Sequence, residues 1–343
     1  MKGRSTQAPC RRTPRQGAES AAARTKKQRE DRRSCEQGGQ HRWTESGLGE
    51  PLCTLIAIHR AVPGRWLVVA ANRDEFFDRP SEGPAIRSSA EIPHLAPRDI
   101  RAGGTWLGLN KEGVFSALTN LSDPNPDKSR KSRGEVVTDS LRHSSAKEAA
   151  SELIEIKNGV YNPFNAFIAD RENAYLVVYR EVPVLIELEP GIHVVGNSDP
   201  RDSKPGKAVP GKVDRARTEA ARIAGRAPGE VVDALGTLCG SHGEEPASLD
   251  DLCVHMGDSY GTRSSILLEL TESFFNQRNR RKGDAEVLAS HAGSEGYESP
   301  GRFLYAAGAP CTTPFEDFSP LLEDCLLYTS DAADEGLGVD LGG

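Results

Sequence analysis

The chain has 343 residues, of which 37% are hydrophobic, and its formal net charge is −7. This length allows one large domain or two small ones, and no apolar stretch approaches the roughly 18 residues that a membrane-spanning helix needs. Residues 1–50 hold 12 Lys and Arg against 6 Asp and Glu, a net charge of +6, so residues 51–343 carry a net charge of −13. An acidic folded part argues against nucleic acid as a partner, and we expect a soluble, cytoplasmic protein.

The cysteines and histidines are scattered along the chain. Seven cysteines form no CxxC pair, and eight histidines form no HxH or HExxH motif. An odd number of widely spaced cysteines argues against a disulfide framework, and the spacing matches no zinc motif. We therefore predict no metal and no cofactor.

The first 52 residues read as a segment without a core. They are rich in Arg, Gln, Gly and Ser, so they cannot bury enough apolar surface to offset the entropy of ordering. We predict that residues 1–52 are a disordered basic extension, absent from the mature protein. Three interpretations stay open: a basic tail, a removable propeptide, or upstream sequence that is not translated. A transit peptide fits less well, because amphipathicity is poor.

The point where structured sequence begins favours the third interpretation. Apolar periodicity starts abruptly at Cys53, directly after Leu52. If a leucine-type start codon at position 52 were decoded as Met, loss of that Met would leave Cys53 as the first residue. This hypothesis predicts a mature chain that starts at a cysteine.

We assign residues 53–324 to a single domain. Residues 271–324 give a weak signal for regular structure, and 271–300 are predicted to be a loop insertion, with 276–283 exposed. Residues 325–343 resemble a translated sequencing-adapter read-through, and we predict that they are a non-native tail.

The first hairpin carries the main structural argument. The runs CTLIAIHR and WLVVAAN flank a five-residue turn that contains Pro-Gly, which predicts two buried antiparallel strands. If Arg60 pairs with Trp66, then Cys53 faces Arg73, and antiparallel partners lie about 4.5–5.5 Å apart. The motif Asn-Arg-Asp-Glu at 72–75 is therefore placed beside a thiol. Taken alone, the same motif could be a solvated strand end.

The rest of the chain predicts a layered domain. A second hairpin runs from Gly103 to Asn120, and its paired glycines permit a close backbone approach. The runs PFNAFIAD, AYLVVYR, VPVLIELE and IHVVGNSDP predict a meander that exposes Asn197 at the end of its last strand. DSYGTRSSILLEL predicts a strand with Arg263 at its entrance, although a plain surface arginine is an equal alternative. Helical spacing predicts helices over 134–141, 146–156, 213–224 and 230–238.

Many antiparallel strands with two groups of helices predict an α+β domain of two packed sheets with helices outside. Several ordered segments also resemble one family: CTLIAIHR, WLVVAANRDEFFDRPS, GGTWLGLNKEGVFSALTN, YNPFNAFIAD, VVGNSDP and YGTRSS. Together they resemble the NRDE family, the transport and Golgi organisation protein 2 group, over roughly residues 53–270. That family is distantly similar to the N-terminal-nucleophile hydrolases of the cholylglycine hydrolase and penicillin V acylase kind. The resemblance implies a four-layer αββα sandwich of two antiparallel sheets flanked by helices.

The resemblance also implies roles for single residues. Cys53 matches the nucleophile that becomes the first residue of the chain, and Asp74 matches the aspartate that holds its free amine. Asn197 matches an oxyanion-hole asparagine, and Arg263 matches an active-site arginine. Asn120 lies near a second oxyanion position, although the match there is loose.

Two further residues are possible support for this site, namely Asn72 and Arg73. The acylases carry an arginine a few residues before their aspartate, where this chain has Ala71. Arg73 could substitute for it, but strand alternation favours a side chain that points away from Asp74.

These assignments imply an N-terminal-cysteine acyl hydrolase or amidase that forms an acyl-enzyme on an amide or a thioester. The alternative is a non-catalytic protein that binds or carries an acyl lipid or haem. A third interpretation is that Cys53 is simply a buried strand cysteine. The expected partner is a small acyl-type molecule, and the sequence gives no prediction of the oligomeric state.

Overall fold

The computed structural model describes residues 53–88, 92–202, 211–243, 248–276 and 299–327. The predicted extension over 1–52 and most of the predicted loop over 271–300 lie outside these residues, so both stay predictions. In the part of the chain that is described, no helix combines the length and the apolar character needed to cross a membrane.

Strands supply most of the regular structure in the described ranges. In chain order they are β1 (Thr54–Val62), β2 (Arg65–Phe76), β3 (Ser81–Arg87), β4 (His94–Asp99), β5 (Leu107–Asn110), β6 (Phe115–Asn120), β7 (Phe164–Ala169), β8 (Ala174–Tyr179), β9 (Pro183–Leu188), β10 (Gly191–Val195), β11 (His255–Met256), β12 (Tyr260–Thr271), β13 (Gly301–Ala306) and β14 (Glu316–Asp317). The helices are α1 (Gly134–Ser140), α2 (Ala146–Leu153), α3 (Lys212–Ala224), α4 (Pro228–Cys239) and α5 (Pro320–Leu327).

The strands form two antiparallel sheets. The first has the order β10-β1-β2-β12-β13-β14, with β11 paired to β12, and the second runs β3-β4-β5-β6-β7-β8-β9. The predicted first hairpin is confirmed in its register, because Thr54 pairs with Asn72 and His59 pairs with Leu67. The ladder shifts by one residue only near the turn, where Arg60 adopts a positive φ of 52°.

The sheets pack face to face, and each carries helices on its outer face. Side chains from both sheets share the central core, which includes Leu55, Val69, Leu268, Phe115, Phe167 and Val178. On the outer face of the first sheet, α3 and α4 pack through residues such as Ala220, Val231 and Leu235. On the outer face of the second sheet, α2 packs through Ala149 and Leu153. The fold is therefore the predicted α+β, four-layer αββα sandwich.

The alternation of side chains along β1 and β2 explains these layers. In β2, Val69 joins the central core while Val68 and Ala70 join the core beneath α3 and α4. Strands that are buried on both faces read as continuous apolar runs, which is what CTLIAIHR and WLVVAAN show. The four predicted helices are confirmed to within a few residues at their ends.

Two sequence predictions are wrong. The predicted four-strand meander ends after β9, because β10 leaves the second sheet and pairs with β1 of the first. The part of 271–324 that the structure describes after residue 298 does contain regular structure, since β13 pairs along β12 from Ser265 to Leu270 and α5 begins at Pro320. Neither feature has a local signal, because both depend on which sheet edge the strand meets.

The predicted boundary at residue 324 falls inside α5, which runs to Leu327. Cys325 is only 1% exposed and belongs to the central core. The beginning of the predicted non-native tail thus packs as part of the domain. Residues 328–343 lie outside the described residues, and for them the prediction stays a prediction.

Candidate functional site

The first hairpin brings Cys53 beside Asp74. Cys53 is the residue before β1, and the next pair in the ladder is Thr54 with Asn72. The thiol lies 4.0 Å from the backbone carbonyl oxygen of Asp74. The sequence prediction that a thiol sits next to this motif is therefore confirmed.

The switch of β10 into the first sheet brings a second group to the thiol. Because β10 pairs with the other edge of β1, with Leu55 opposite Val195, the residues that follow Val195 run toward Cys53. Asn197 is among them, and its Nδ2 donates a hydrogen bond of 2.7 Å to the carbonyl oxygen of Asn120 at the end of β6. A backbone bond from Ser122 N to the Asn197 carbonyl, 2.9 Å long, ties the same two segments together.

Cys53, Ser122 and Asn197 border one cavity of about 400 Å³. Most of its lining residues have polar side chains, which include carboxylates, an arginine, a lysine, hydroxyls and an amide, but apolar atoms supply the larger part of its surface. The lining residues are Cys53, Thr54, Ser122, Arg180, Gly196, Asn197, Ser198, Asp199, Asp202, Lys212, Val213, Leu249 and Asp250. A cavity of this size fits a small polar molecule or the polar end of a larger one.

The Asp74 carboxylate is fully buried and holds two side chains from other elements. Thr262 Oγ1 donates to Oδ1 at 2.6 Å, and Lys212 Nζ lies 2.7 Å from Oδ2. Burial raises the pKa of Asp74, while the Lys212 charge and the two hydrogen bonds act in the opposite direction. A buried carboxylate with a cation in direct contact is the arrangement that keeps the ionised form present.

This contact differs from the one that the sequence analysis predicted, in which Asp74 holds the amine of Cys53. Among the described residues, the contacts of the carboxylate are to Thr262 and Lys212. The reason is chemical, because with residue 52 attached the nitrogen of Cys53 is an uncharged amide. The lysine at the start of α3 is the cation that the carboxylate meets.

The Cys53 thiol is poorly ionised in this setting. Desolvation is the main cause that raises its pKa to about 12, and the nearby charge of Asp74 acts in the same direction. Hydrogen bonding to the Asp74 carbonyl and the charge of Arg73 only partly oppose this rise. At neutral pH a thiol of that pKa is about one part in 10⁵ thiolate.

The motif at 72–75 alternates between the two faces of its sheet. Asn72 donates to the carbonyls of Cys239 and Leu252 at 2.9 and 2.8 Å and accepts from Ser265 Oγ at 2.7 Å. It thus ties β2 to the end of α4, on the same side as Asp74. Asn72 does not border the Cys53 cavity, so its place in the described structure is that of a strut.

Arg73 points to the opposite face, as alternation predicts. Its guanidinium contacts Asp99 at 3.2 Å and Glu75 at 3.6 Å, and it lies 4.7 Å from the centre of the Trp106 ring. Arg79 closes this network with a bond of 2.7 Å to Asp99. Arg73 therefore cross-links β2 to the end of β4 and does not contact Asp74.

Arg263 is not brought into the cavity. It sits at a break in the ladder between β2 and β12, where Thr262 pairs with Asp74 and Ser264 pairs with Arg73. Such a bulge leaves one residue outside the pairing, and the Arg263 guanidinium reaches the Ala307 carbonyl oxygen at 3.5 Å. Its predicted role as an active-site arginine stays a prediction.

Two residues of this site were missed by the sequence analysis. Thr262 had a usable signal, since it directly precedes Arg263 at the entrance of a predicted strand. Lys212 had a weaker one, because the predicted helix began one residue later at Val213. Residues 203–210 lie outside the described structure, and Lys212 is the first residue of α3.

The described geometry can be set beside known proteins. Residues 52–276 match the family described as Transport and Golgi organisation 2. The chain belongs to that family. A mouse relative, "Transport and Golgi organization 2 homolog", is 33% identical over 139 residues, which is 38% of this chain and 50% of the relative. The chain thus spans about half the length of the curated relatives it matches.

Two solved structures align with the chain at low similarity. A mutant of the conjugated bile acid hydrolase from Clostridium perfringens aligns with 12% identity and a TM-score of 0.45, over 78% of this chain and 93% of that one. Penicillin V acylase from Agrobacterium tumefaciens aligns with 12% identity and a TM-score of 0.43, over 64% and 83%. At this level of similarity, function has to be argued from the residues of this chain.

Proposed function

We propose that this protein is an acyl hydrolase in which Cys53, once it is the first residue of the chain, attacks an amide or a thioester. The observation that carries the proposal is that a thiol, a carboxamide and the lysine that contacts the buried Asp74 carboxylate all border one cavity. A nucleophile, a group that orients charge and a hydrogen-bond donor are the parts that acyl transfer needs.

Removal of the preceding residues supplies the base. With a peptide bond on its nitrogen, the thiol has a pKa of about 12 and no amine to accept its proton. A free α-amine has a pKa of about 8 and can take that proton at neutral pH. The chain is therefore a dormant precursor while residue 52 is attached, and cleavage before Cys53 activates it.

Asp74 is the group that would orient this amine. Its carboxylate is one residue along β2 from the position facing Cys53, and its charge already acts on the thiol. In the precursor the Lys212 ammonium and the Thr262 hydroxyl hold the carboxylate in place. A newly formed ammonium at Cys53 would share this negative charge with Lys212.

Asn197 is the proposed oxyanion donor, supported by its place on the wall of the cavity. Its amide orientation is fixed by the hydrogen bond to the Asn120 carbonyl, so Asn120 acts as a positioning residue. In other enzymes, loss of one such donor costs about 2.7–4 kcal/mol in the activation barrier. Asn72 and Arg73 support the scaffold, and Arg263 remains a candidate for contact with a larger substrate.

The reaction is balanced without a cofactor. The Cys53 sulfur forms a bond to the acyl carbon, and the C–N or C–S bond of the substrate breaks. The leaving amine or thiol takes the proton that the α-amine had received. Water then adds to the acyl-thioester, and the released acid leaves Cys53 ready for another cycle.

A second function has one specific observation in its favour. Burial raises the pKa of the Cys53 thiol to about 12, and a thiol that is rarely ionised suits a protein that binds or carries a ligand rather than transforming it. An acyl lipid or haem was the expected ligand. The cavity combines charged and amide side chains with apolar surface, which suits an acyl compound that has a polar head.

The test compares a chain that begins at Cys53 with the full 343-residue chain. Both are incubated with an acyl thioester, and the mass of the Cys53 peptide is measured after quenching. We expect an acyl adduct on the shortened chain, and none on its Cys53→Ala variant. Cys239→Ser is the matched control, because Cys239 is also a buried thiol with its pKa raised to about 12.

The outcomes separate the two functions. Equal acylation of both chains would contradict the activation step, and acylation of Cys53→Ala would exclude Cys53 as the nucleophile. Saturable binding of the thioester with no adduct on either chain would support the carrier function.

A further inference from the structure

Four metal-binding side chains meet at a place away from the Cys53 cavity. The thiols of Cys253 and Cys311 lie 3.5 Å apart, and His255 Nε2 lies 3.5 Å from the first and 3.1 Å from the second. His242 completes the group, with a ring nitrogen within 4.8 Å of the donor atoms of His255 and Cys311. None of the four borders the Cys53 cavity.

The separations among the donor atoms of Cys253, His255 and Cys311 match a tetrahedral metal ion, and a ring nitrogen of His242 lies within 4.8 Å of the donor atoms of His255 and Cys311. With Zn–S bonds of about 2.3 Å and Zn–N bonds of about 2.0–2.1 Å, neighbouring ligand atoms of a tetrahedron lie about 3.3–3.8 Å apart. The three separations among Cys253, His255 and Cys311, 3.5, 3.5 and 3.1 Å, fall in or just below this range. Two thiols and two imidazoles form the ligand set that favours Zn²⁺ over Mg²⁺ or Ca²⁺.

The hydrogen bonds around the cluster leave a lone pair available on His242. Its Nδ1 lies 2.9 Å from the Gly243 carbonyl oxygen, and because a carbonyl can only accept, Nδ1 carries the proton. Nε2 is then the unprotonated nitrogen that a metal requires. A backbone carbonyl that fixes a histidine tautomer in this way is typical of zinc ligands. The two imidazole rings lie 5.1 Å apart at 77°, so they meet edge to face.

The backbone holds the thiols ready for a shared ligand. Cys253 and His255 are two residues apart in an extended segment, so their side chains lie on the same face. Cys253 N donates to the Ser241 carbonyl at 3.0 Å, next to His242. Cys311 comes from a separate turn, in which Thr313 N donates to the Ala309 carbonyl at 2.8 Å.

We propose that Cys253, His255, Cys311 and His242 bind one Zn²⁺ ion as a structural site. The ion would fasten the segment that enters β11 to the turn that follows β13, two pieces of chain that lie more than fifty residues apart in sequence. The prediction of no metal rested on contiguous motifs alone, and this site is assembled across the fold, with only the Cys-Val-His triplet visible in the sequence.

The ion would also brace the neighbourhood of Asp74. Val254, between two of the ligands, donates its backbone N–H to Thr262 Oγ1 at 2.8 Å and accepts from Thr262 N at 2.9 Å. The same hydroxyl donates to Asp74. Zinc binding would thus stabilise the hydrogen bond between Thr262 and the Asp74 carboxylate, without any role in the chemical step.

The first experiment measures metal content of the full chain under reducing conditions. After exposure to Zn²⁺ and removal of excess, we expect one zinc per chain by elemental analysis. Replacement by Co²⁺ should give the intense visible bands of a tetrahedral ion together with a thiolate-to-cobalt charge-transfer band. This spectrum uses the unsubstituted protein, so it remains informative if a variant fails to fold.

The variants locate the site. Cys311→Ser and His255→Gln should each lower the affinity for Zn²⁺ by about tenfold or more. Cys311→Ser should also weaken or abolish the thiolate-to-cobalt charge-transfer band. His143→Gln and Cys53→Ser are the matched controls, because both residues lie outside the cluster, and both should keep one zinc per chain. This readout does not depend on whether Cys53 is catalytic.

Two results would overturn the proposal. One is a reduced, folded protein that takes up no zinc or cobalt. The other is a Cys253–Cys311 disulfide, found by mass analysis of the protein as purified, together with no metal binding after reduction; the pair would then be a redox couple.

Discussion

Two thiols of this protein, the half-buried Cys53 and the buried Cys253, both have a raised pKa but differ in their neighbours. Burial is the main cause that raises the pKa of both Cys53 and Cys253 to about 12. The Cys53 thiol lies near the backbone carbonyl of Asp74 and borders the same cavity as Asn197, whereas the Cys253 thiol lies beside the imidazole of His255 and the thiol of Cys311. The two thiols would therefore be ionised in different ways.

In the two proposals, a base would take the proton of Cys53, and a bound cation would displace the proton of Cys253. A neighbouring amine can remove the proton and leave a nucleophile, whereas a bound Zn²⁺ deprotonates its thiols and makes them ligands. A shifted pKa alone does not distinguish these cases. The groups within bonding distance do, and the following variants are chosen to separate the two thiols.

The largest expected effect comes from the residue in front of Cys53. Conversion of the Cys53 nitrogen from an amide to an amine should raise the rate of its alkylation at neutral pH by about 10²–10⁴-fold, the usual size of general-base assistance. The rates are measured by mass spectrometry on chains that begin at Cys53 and on chains that keep residue 52. Cys253 should react at the same rate in both; a change at both thiols would point to a general opening of the fold.

Asp74→Asn tests the carboxylate beside the first thiol. It leaves Lys212 buried without its counter-charge, which should lower the free energy of unfolding by about 3–5 kcal/mol and slow acylation of Cys53. Asp99→Asn is the matched control, because Asp99 is also buried and holds Arg73 and Arg79 on the opposite face. If both variants lose stability but acylate equally fast, Asp74 has only a structural role.

Thr262→Val tests the hydroxyl that links the two neighbourhoods. It removes the donor to Asp74 and the acceptor of Val254 N–H, and both partners are buried. We expect a loss of about 1–3 kcal/mol in the free energy of unfolding, measured by urea denaturation. Thr138→Val is the control, since its hydroxyl only donates to the Gly134 carbonyl on a helix, and it should change stability by less.

Zinc should protect one pair of thiols and not the other. When Zn²⁺ is added before alkylation, modification of Cys253 and Cys311 should slow by about tenfold or more, in line with the effects of zinc-ligand shells, while Cys53 keeps its rate. Peptide mass analysis reads all three positions in one sample. Equal protection of Cys53 would indicate that Zn²⁺ binds in the Cys53 cavity and not at the proposed site.

The smallest expected effect concerns the far wall of the Cys53 cavity. Hydrogen bonds from Arg201 and Arg180 lower the pKa of Asp199 to about 2, below the value of about 3.9 for an unfolded chain. A depressed pKa stabilises the fold above the unfolded value, and this contribution is lost as the pH falls through the folded one. The stability gap between wild type and Asp199→Asn should therefore be constant near neutrality and close between about pH 4 and pH 2.

The sequence predicts what depends on local pattern. The alternation and length of CTLIAIHR and WLVVAAN define the β1–β2 register, and with it the meeting of Cys53 and Asp74. Helix periods are equally local, and the helices were found with errors only at their ends. The alternation of the 72–75 motif also predicts correctly that Arg73 turns away from Asp74.

Contacts between distant segments could not be predicted in this way. The transfer of β10 to the first sheet, which brings Asn197 to the cavity, depends on a free edge of β1 and leaves no mark in the run IHVVGNSDP. The pairing of Lys212 with Asp74 joins residues 138 positions apart. The cluster around Cys253 depends on a turn near Cys311 in a region that carried almost no signal for regular structure.

The position of Cys53 has a practical consequence for anyone who makes this protein. Cys53 directly precedes β1 and borders the cavity, and the proposed function requires its nitrogen to be a free amine. An affinity tag fused in front of Cys53 would cap this nitrogen. Recombinant material tagged there is expected to look inert in an acylation assay, so purification handles belong at the other terminus.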